Sequence, residues 1–248
     1  MPSQRAVREL VPPSQTAPAG SVNRLSLSGS PASPTLLSEA PGSRPLNNSP
    51  GVCGNMSNSI FGLVALLWLA SSSAALSQIS PDKLVLSARK QIGVTRSYDP
   101  AYRELAYPGG DVPRNTGVCT DVIIRALREQ SVDLQKAVHE DMERDFKAYP
   151  QKWQLTKPDA NIDHRRVPNL MTYFQHRGWV QAGSDKPGHF APGDVVAWDL
   201  GQGTTHIGIV SDRRTSTGVP LVIHNIGHGT QEEDALFQFK VIGHYRLK

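Results

Sequence analysis

The spacing of apolar residues changes once along this chain, and that change constrains the fold more than any other feature. Between residues 80 and 178, apolar side chains recur at three- and four-residue intervals, as at Leu134, Val138 and Met142. This spacing lines one face of an α-helix. From residue 194 onward, apolar residues fall instead in short β-branched runs separated by turn residues, which is typical of strands. Helices followed by an antiparallel sheet predict an α+β domain.

Four helices and four strands are predicted within this pattern. The helices are expected at residues 83–92, 119–130, 134–146 and 167–178, with Ser80 as the cap of the first. The strands are expected at residues 194–200, 205–212, 220–226 and 240–247. Residues 97–117 and 150–165 are rich in turn-forming and polar residues and are predicted to be loops.

The first third of the chain is unlike the rest. Residues 1–58 are rich in Pro, Ser, Gly and Asn, so they are predicted to be disordered, and Met56 offers an alternative start that would leave them untranslated. Residues 60–70 (IFGLVALLWLA) precede a run of small residues, which is typical of a signal peptide, with a buried helix or an uncleaved anchor as alternatives. We expect a signal peptide at 59–77 and a mature domain at 78–248.

The charges of the mature domain argue against one class of partner. Residues 78–248 hold 22 of the 26 Lys and Arg residues and 20 of the 22 Asp and Glu residues, and the two signs are interleaved. A balance this even does not predict nucleic-acid binding. After cleavage of the signal peptide, no stable membrane span is expected, so the sequence predicts a periplasmic or secreted protein.

Cys119 is the only cysteine of the mature domain, because Cys53 precedes the apolar block. An unpaired thiol in an exported domain is either reactive or a small buried apolar residue. Its position at the start of a predicted helix favours reactivity, because the helix dipole and the free N–H groups stabilise a thiolate and lower its pKa. The same N–H groups can bind the oxyanion formed when a carbonyl is attacked.

Two histidines on neighbouring predicted strands supply the rest of a catalytic set. His206 begins one strand, and Gly208 shares its face, where a missing side chain allows close approach of another segment. His224 and Asn225 end the next strand, which a hairpin brings beside His206. Adjacent strand residues face opposite sides, so only one of the two can orient the His206 imidazole. The sequence leaves open which one.

These motifs, in this order, resemble the NlpC/P60 superfamily of papain-like peptidases, which cleave bacterial cell-wall peptides. The matching segments are 107–110 (YPGG), 117–124 (GVCTDVII), 193–198 (GDVVAW), 205–210 (THIGIV) and 221–224 (LVIH). Residues 164–170 (HRRVPNL) and 225–227 (NIG) also resemble DUF1287, a bacterial family of unknown function. The likeness covers about residues 80–247.

The resemblance implies a papain-like fold and a role for each matching residue. Cys119 would be the nucleophile, His206 the base, His224 the orienting residue, and Tyr107 a wall of the substrate cleft near the thiol. It implies hydrolysis of an amide bond in peptidoglycan peptides by a Cys-His-His thiolate mechanism, without a cofactor. The residues beside the cysteine are Val and Thr rather than the Asp and Ser of familiar members, so the resemblance does not identify the bond.

Two arginines in the long insertion at residues 131–190 are further candidates. Arg165 and Arg166 precede a predicted helix and could bind substrate carboxylates in a bidentate manner. They are therefore predicted, with Asn225, to contact substrate. The alternative is a solvated basic loop, or an ion pair with the acidic helix at residues 140–145.

Two other functions are compatible with the sequence. A zinc hydrolase could use His206, His224 and His228 as ligands, but their spacing matches no established zinc pattern, so no metal site is predicted. A non-catalytic wall-binding module is also possible, because a fold does not guarantee activity. That module would have a buried and unreactive Cys119.

Overall fold

The computed structural model describes residues 78–248, so the predicted disordered segment and signal peptide lie outside the described residues. The helices are α1 (Pro81–Arg89), α2 (Cys119–Arg128), α3 (Leu134–Arg144) and α4 (Val167–His176). The strands are β1 (Ser97–Tyr98), β2 (Thr116–Gly117), β3 (Val195–Gly201), β4 (Thr204–Arg214), β5 (Pro220–Asn225), β6 (Thr230–Glu233) and β7 (Lys240–Tyr245). Helices precede a five-stranded antiparallel sheet, which confirms the α+β prediction.

The main sheet has the strand order β6-β5-β4-β3-β7, and every neighbouring pair is antiparallel. Strands β1 and β2 form a separate parallel pair just before α2. The sequence did not predict β1, β2 or β6. The first two have only two residues each, and β6 reads TQEE, which lacks an apolar alternation.

Local sequence explains how the helices begin and end. Ser80 caps α1 by accepting a hydrogen bond from the Lys83 backbone N–H at 3.4 Å, as predicted. Helix α1 ends at Arg89, three residues earlier than predicted. The residues that follow include the exposed Ile92 and Val94, which have no core to pack against, and Gly93 has a left-handed φ of +78°.

The sheet has an apolar layer on each face. On one face, Ile207 and Ile223 pack with Cys119 and the apolar side of α2. On the other, Trp198 and Val222 pack under loop residues that include Phe190 and Leu236. Successive strand residues alternate between the faces, so Ile207 lies on the helix side of β4 and His206 on the opposite side. Within residues 78–248, no helix is both long and apolar enough to span a bilayer.

Candidate active site

Cys119 is the first residue of α2 and is only 4% exposed. Three donors face its sulfur: the backbone N–H groups of Ile207 and Thr120, and the hydroxyl of Tyr98. Ile207 directly follows His206 on β4. The fold therefore brings the thiol to the backbone near the beginning of β4, whereas the His206 ring points to the opposite face of this strand.

Burial controls the protonation of this thiol. The pKa of Cys119 is raised from its ordinary value of 9.0 to about 12, mainly by removal from water and in smaller part by the Asp121 carboxylate. The hydrogen bonds from Ile207, Thr120 and Tyr98 oppose this rise without cancelling it. The prediction that the helix terminus would lower the pKa was wrong, because loss of solvation outweighs the helix N–H groups.

His206 is also buried, with 2% exposure. Its Nε2 lies 2.7 Å from Nδ1 of His224, and its ring stacks on Trp198 with 5.6 Å between ring centroids. Burial first, and then His224, hold the pKa of His206 well below its ordinary value of 6.5. The imidazole is therefore neutral at pH 7. Among the described residues, no hydrogen bond joins His206 to Cys119.

His224 is hydrogen-bonded both to His206 and to a third residue, Glu233. Nε2 of His224 lies 2.9 Å from a carboxylate oxygen of Glu233 on β6. The close approach of β5 depends on Gly208, as predicted, because a Cβ there would lie 2.8 Å from Val222 and 3.0 Å from His224. Glu233 was missed by the sequence reasoning, since it lies on a strand that the apolar pattern does not reveal.

Asn225 lies on the other face of β5 and does not contact His206. Its side-chain amide donates to the Gly117 carbonyl at 3.0 Å and to the Ser97 carbonyl at 3.3 Å. These bonds tie the end of β5 to the β1–β2 pair and to the residues before Cys119. Of the two residues that the sequence left open, His224 contacts His206, and Asn225 contacts the backbone near the thiol.

Arg165 is part of the interior. Its guanidinium forms two hydrogen bonds with Asp121, at 3.1 and 3.0 Å, and donates to the backbone carbonyls of Asp99 and Ala101. Asp121 in turn accepts the Val118 backbone N–H at 2.7 Å. Arg165 therefore fixes the start of α2 instead of facing a substrate carboxylate. Its partner is Asp121, not the acidic helix at residues 140–145.

Arg166 and Tyr107 lie away from the thiol contacts. The Arg166 guanidinium stacks over Trp153 at 4.1 Å, and Tyr107 packs edge-on against His139. The loop at residues 107–110 is held by Arg128, at the last turn of α2. That turn is about 13 Å along the helix from Cys119.

Tyr98 occupies the place beside the sulfur that the resemblance had assigned to Tyr107. It is the second residue of the short strand β1. Burial and the neighbouring Cys119 raise its pKa, so its hydroxyl stays protonated and remains a donor. No spacing in the sequence marks Tyr98, because only the pairing of β1 with β2 brings it to the cysteine.

The histidines are not arranged as metal ligands. Nε2 of His206 and Nδ1 of His224 are engaged with each other, while His228 is exposed on the loop before β6. Across residues 78–248, no group of three or more His, Cys, Asp or Glu side chains is placed to hold a metal ion.

Comparisons with known proteins agree with part of the resemblance. The DUF1287 family, described as a domain of unknown function, matches residues 85–247. The chain is 60% identical over 159 residues to the "Uncharacterized protein YijF" of Escherichia coli (strain K12), an alignment that covers 64% of this chain and 78% of that protein. No solved structure matches the chain. Because the family match covers most of the chain, this protein belongs to the DUF1287 family.

Proposed function

We propose that this protein is an exported cysteine hydrolase that cleaves an amide bond in peptidoglycan peptides, in the manner of the papain-like NlpC/P60 enzymes. Its place of action would be the periplasm or the exterior of a bacterial cell. One observation carries the proposal. Cys119 begins α2 next to the β4 backbone at Ile207, and the preceding residue of β4 is His206, whose ring is held by His224 at 2.7 Å.

In the proposed reaction, the Cys119 sulfur attacks the amide carbonyl carbon as its proton passes to Nδ1 of His206. The imidazole lies on the face of β4 opposite the thiol, so this transfer requires the beginning of β4 to rearrange when substrate binds. Nε2 of His206 already hydrogen-bonds with His224, so Nδ1 is the nitrogen left for this transfer. The C–N bond then breaks, and His206 returns the proton to the leaving amine. A water molecule deprotonated by His206 hydrolyses the resulting thioester and restores the thiol.

The resting pair is neutral in this scheme. The pKa of Cys119 is raised and that of His206 is lowered, so the proton moves only as the sulfur attacks. The oxyanion would be bound by the Cys119 backbone N–H, because the first N–H groups of a helix have no intrahelical partner. Tyr98 would add a hydroxyl donor beside the sulfur. The thiol is 4% exposed, so substrate entry requires neighbouring side chains to move.

The test is incubation of the protein with purified peptidoglycan and mass spectrometry of the released fragments. The wild type should release muropeptides, and Cys119→Ser and His206→Ala should not. A positioned base contributes about 10²–10⁴-fold, so His206→Ala retaining more than roughly a tenth of the activity would remove His206 from this role. His189→Ala, which alters an exposed histidine, is the matched control and should remain active. Loss of activity with a chelator would favour the zinc alternative.

A non-catalytic wall-binding module is the second candidate, and the burial of Cys119 favours it. That function requires no reactive thiol, and a pKa of about 12 suits an inert cysteine. The two candidates differ in a sedimentation assay with peptidoglycan. A binding module should cosediment with the polymer, release no fragments and be unaffected by Cys119→Ser.

A further inference from the structure

A line of hydrogen bonds runs from the protein surface to the buried His206. It begins at Glu233, whose side chain is half exposed, and reaches His224 at 2.9 Å and His206 at 2.7 Å. His224 and His206 are 1% and 2% exposed. The Glu233 carboxylate therefore connects the two buried imidazole rings to the solvent-exposed surface.

The ionisation of Glu233 determines which imidazole nitrogens of His224 and His206 carry hydrogen. The hydrogen bond from His224 lowers the pKa of Glu233, so Glu233 is ionised at neutral pH and can only accept. Nε2 of His224 must then carry the hydrogen. A neutral imidazole has one donor and one acceptor nitrogen, so Nδ1 of His224 accepts from Nε2–H of His206. Nδ1 of His206 is left as a bare nitrogen.

We infer that Glu233 is a positioning residue that fixes, through His224, the tautomer in which Nδ1 of His206 can accept a proton. Its consequence for catalysis rests on the proposed function, in which that nitrogen takes the Cys119 proton. Glu233 does not touch the reacting atoms. A bare Nδ1 is what a general base requires, and an Nδ1–H could not serve.

A different arrangement of protons on Glu233, His224 and His206 gives the other tautomer of His206. If His224 carried two protons beside the Glu233 carboxylate, its Nδ1–H would donate to Nε2 of His206. The hydrogen of a neutral His206 would then lie on Nδ1, and the ring could not act as a base toward the thiol. The tautomer of His206 therefore distinguishes the two arrangements without any enzymatic assay.

The experiment is ¹⁵N NMR of the imidazole nitrogens at pH 7 in the full chain, because the ¹⁵N shift separates N–H from bare nitrogen. The wild type should show hydrogen on Nε2 of both His206 and His224. In Glu233→Ala, water at the exposed position can either donate or accept, so His206 should become a mixture of tautomers. Asp234→Asn removes the next, exposed carboxylate and should leave both rings unchanged.

Activity gives the second readout. Glu233→Ala should lower kcat about tenfold with KM unchanged, less than the about 10⁴-fold loss caused by a wrong tautomer at a directly bonded residue. Hydrogen on Nδ1 of His206 in the wild type, or an unchanged tautomer in Glu233→Ala, would overturn the inference. A wild-type protein with the expected tautomers but no hydrolysis would instead count against the proposed function alone.

Discussion

The Cys119 thiol should react with iodoacetamide much more slowly in the folded protein than in the unfolded chain. Only the thiolate is nucleophilic, and burial raises the pKa from 9.0 to about 12. Below pH 9, each pKa unit lowers the thiolate fraction tenfold, so the folded protein should hold about a thousandfold less thiolate. Exclusion of the reagent from a site that is 4% exposed would slow the reaction further.

The assay uses a Cys53→Ser variant of the full chain, in which Cys119 is the only thiol. Alkylation rates are measured by mass spectrometry from pH 6 to 9.5, in buffer and in denaturant, and the unfolded chain supplies the reference rate. Since His206 is neutral in the resting state, adding His206→Ala should change the alkylation rate little. A preformed thiolate–imidazolium pair would instead lose reactivity in that variant.

A folded rate at pH 7 within tenfold of the unfolded rate would refute the burial argument. A rate that stayed high at pH 6 and fell in His206→Ala would show a preformed thiolate–imidazolium pair. In either case, the site would have to open to solvent far more than the resting structure does.

Two further predictions concern stability. Arg165→Ala should lower the free energy of unfolding by about 3–5 kcal/mol, because it leaves the Asp121 carboxylate buried and unpaired. Denaturant titration measures this loss, and a loss no larger than that of Arg166→Ala would contradict the prediction. Burial lowers the pKa of His164 to about 4. The neutral, buried ring therefore contributes to stability above pH 6.5, and the free energy of unfolding should fall by roughly 3 kcal/mol as the pH falls toward 4. His164→Gln should remove that part of the pH dependence, and an identical stability profile in the variant would show that His164 is not its source.

The fold was largely predictable because its main signals are local. Neighbouring residues carry the four-residue repeat of α3 and the β-branched runs of β3, β4 and β5. Each of these patterns predicts an element with one buried face. Strand β6 has no such signal. It forms because of contacts with distant parts of the chain: β5 pairs with it, and the Thr230 N–H donates to the Thr95 carbonyl.

The candidate site was predictable only in part, for the same reason. Hairpin geometry brings His206 and His224 together, and Gly208 marks their close approach. Three other features depend on packing between segments that are far apart in sequence: the exchange of Tyr98 for Tyr107, the burial of Arg165, and the direction of the Cys119 pKa shift. Loop pairing and the depth of burial have no short-range sequence pattern, so local reasoning could not supply them.

The position of the Cys119 thiol along β4 is set by where the β4–β5 hydrogen bonds end. The β4–β5 register contains Ile209↔Ile223, and the Asn225 side chain is bonded to the Ser97 and Gly117 carbonyls. The backbone of Val210 bonds toward β3, so by alternation Ile207 directs its N–H to the β5 side, where the Cys119 sulfur receives it. His206, one residue before Ile207, directs its imidazole to the other face of the sheet, and a slip of one residue would move it to the face of Cys119. The register of β4, more than the closeness of the segments, therefore decides on which face of the sheet the imidazole lies relative to Cys119.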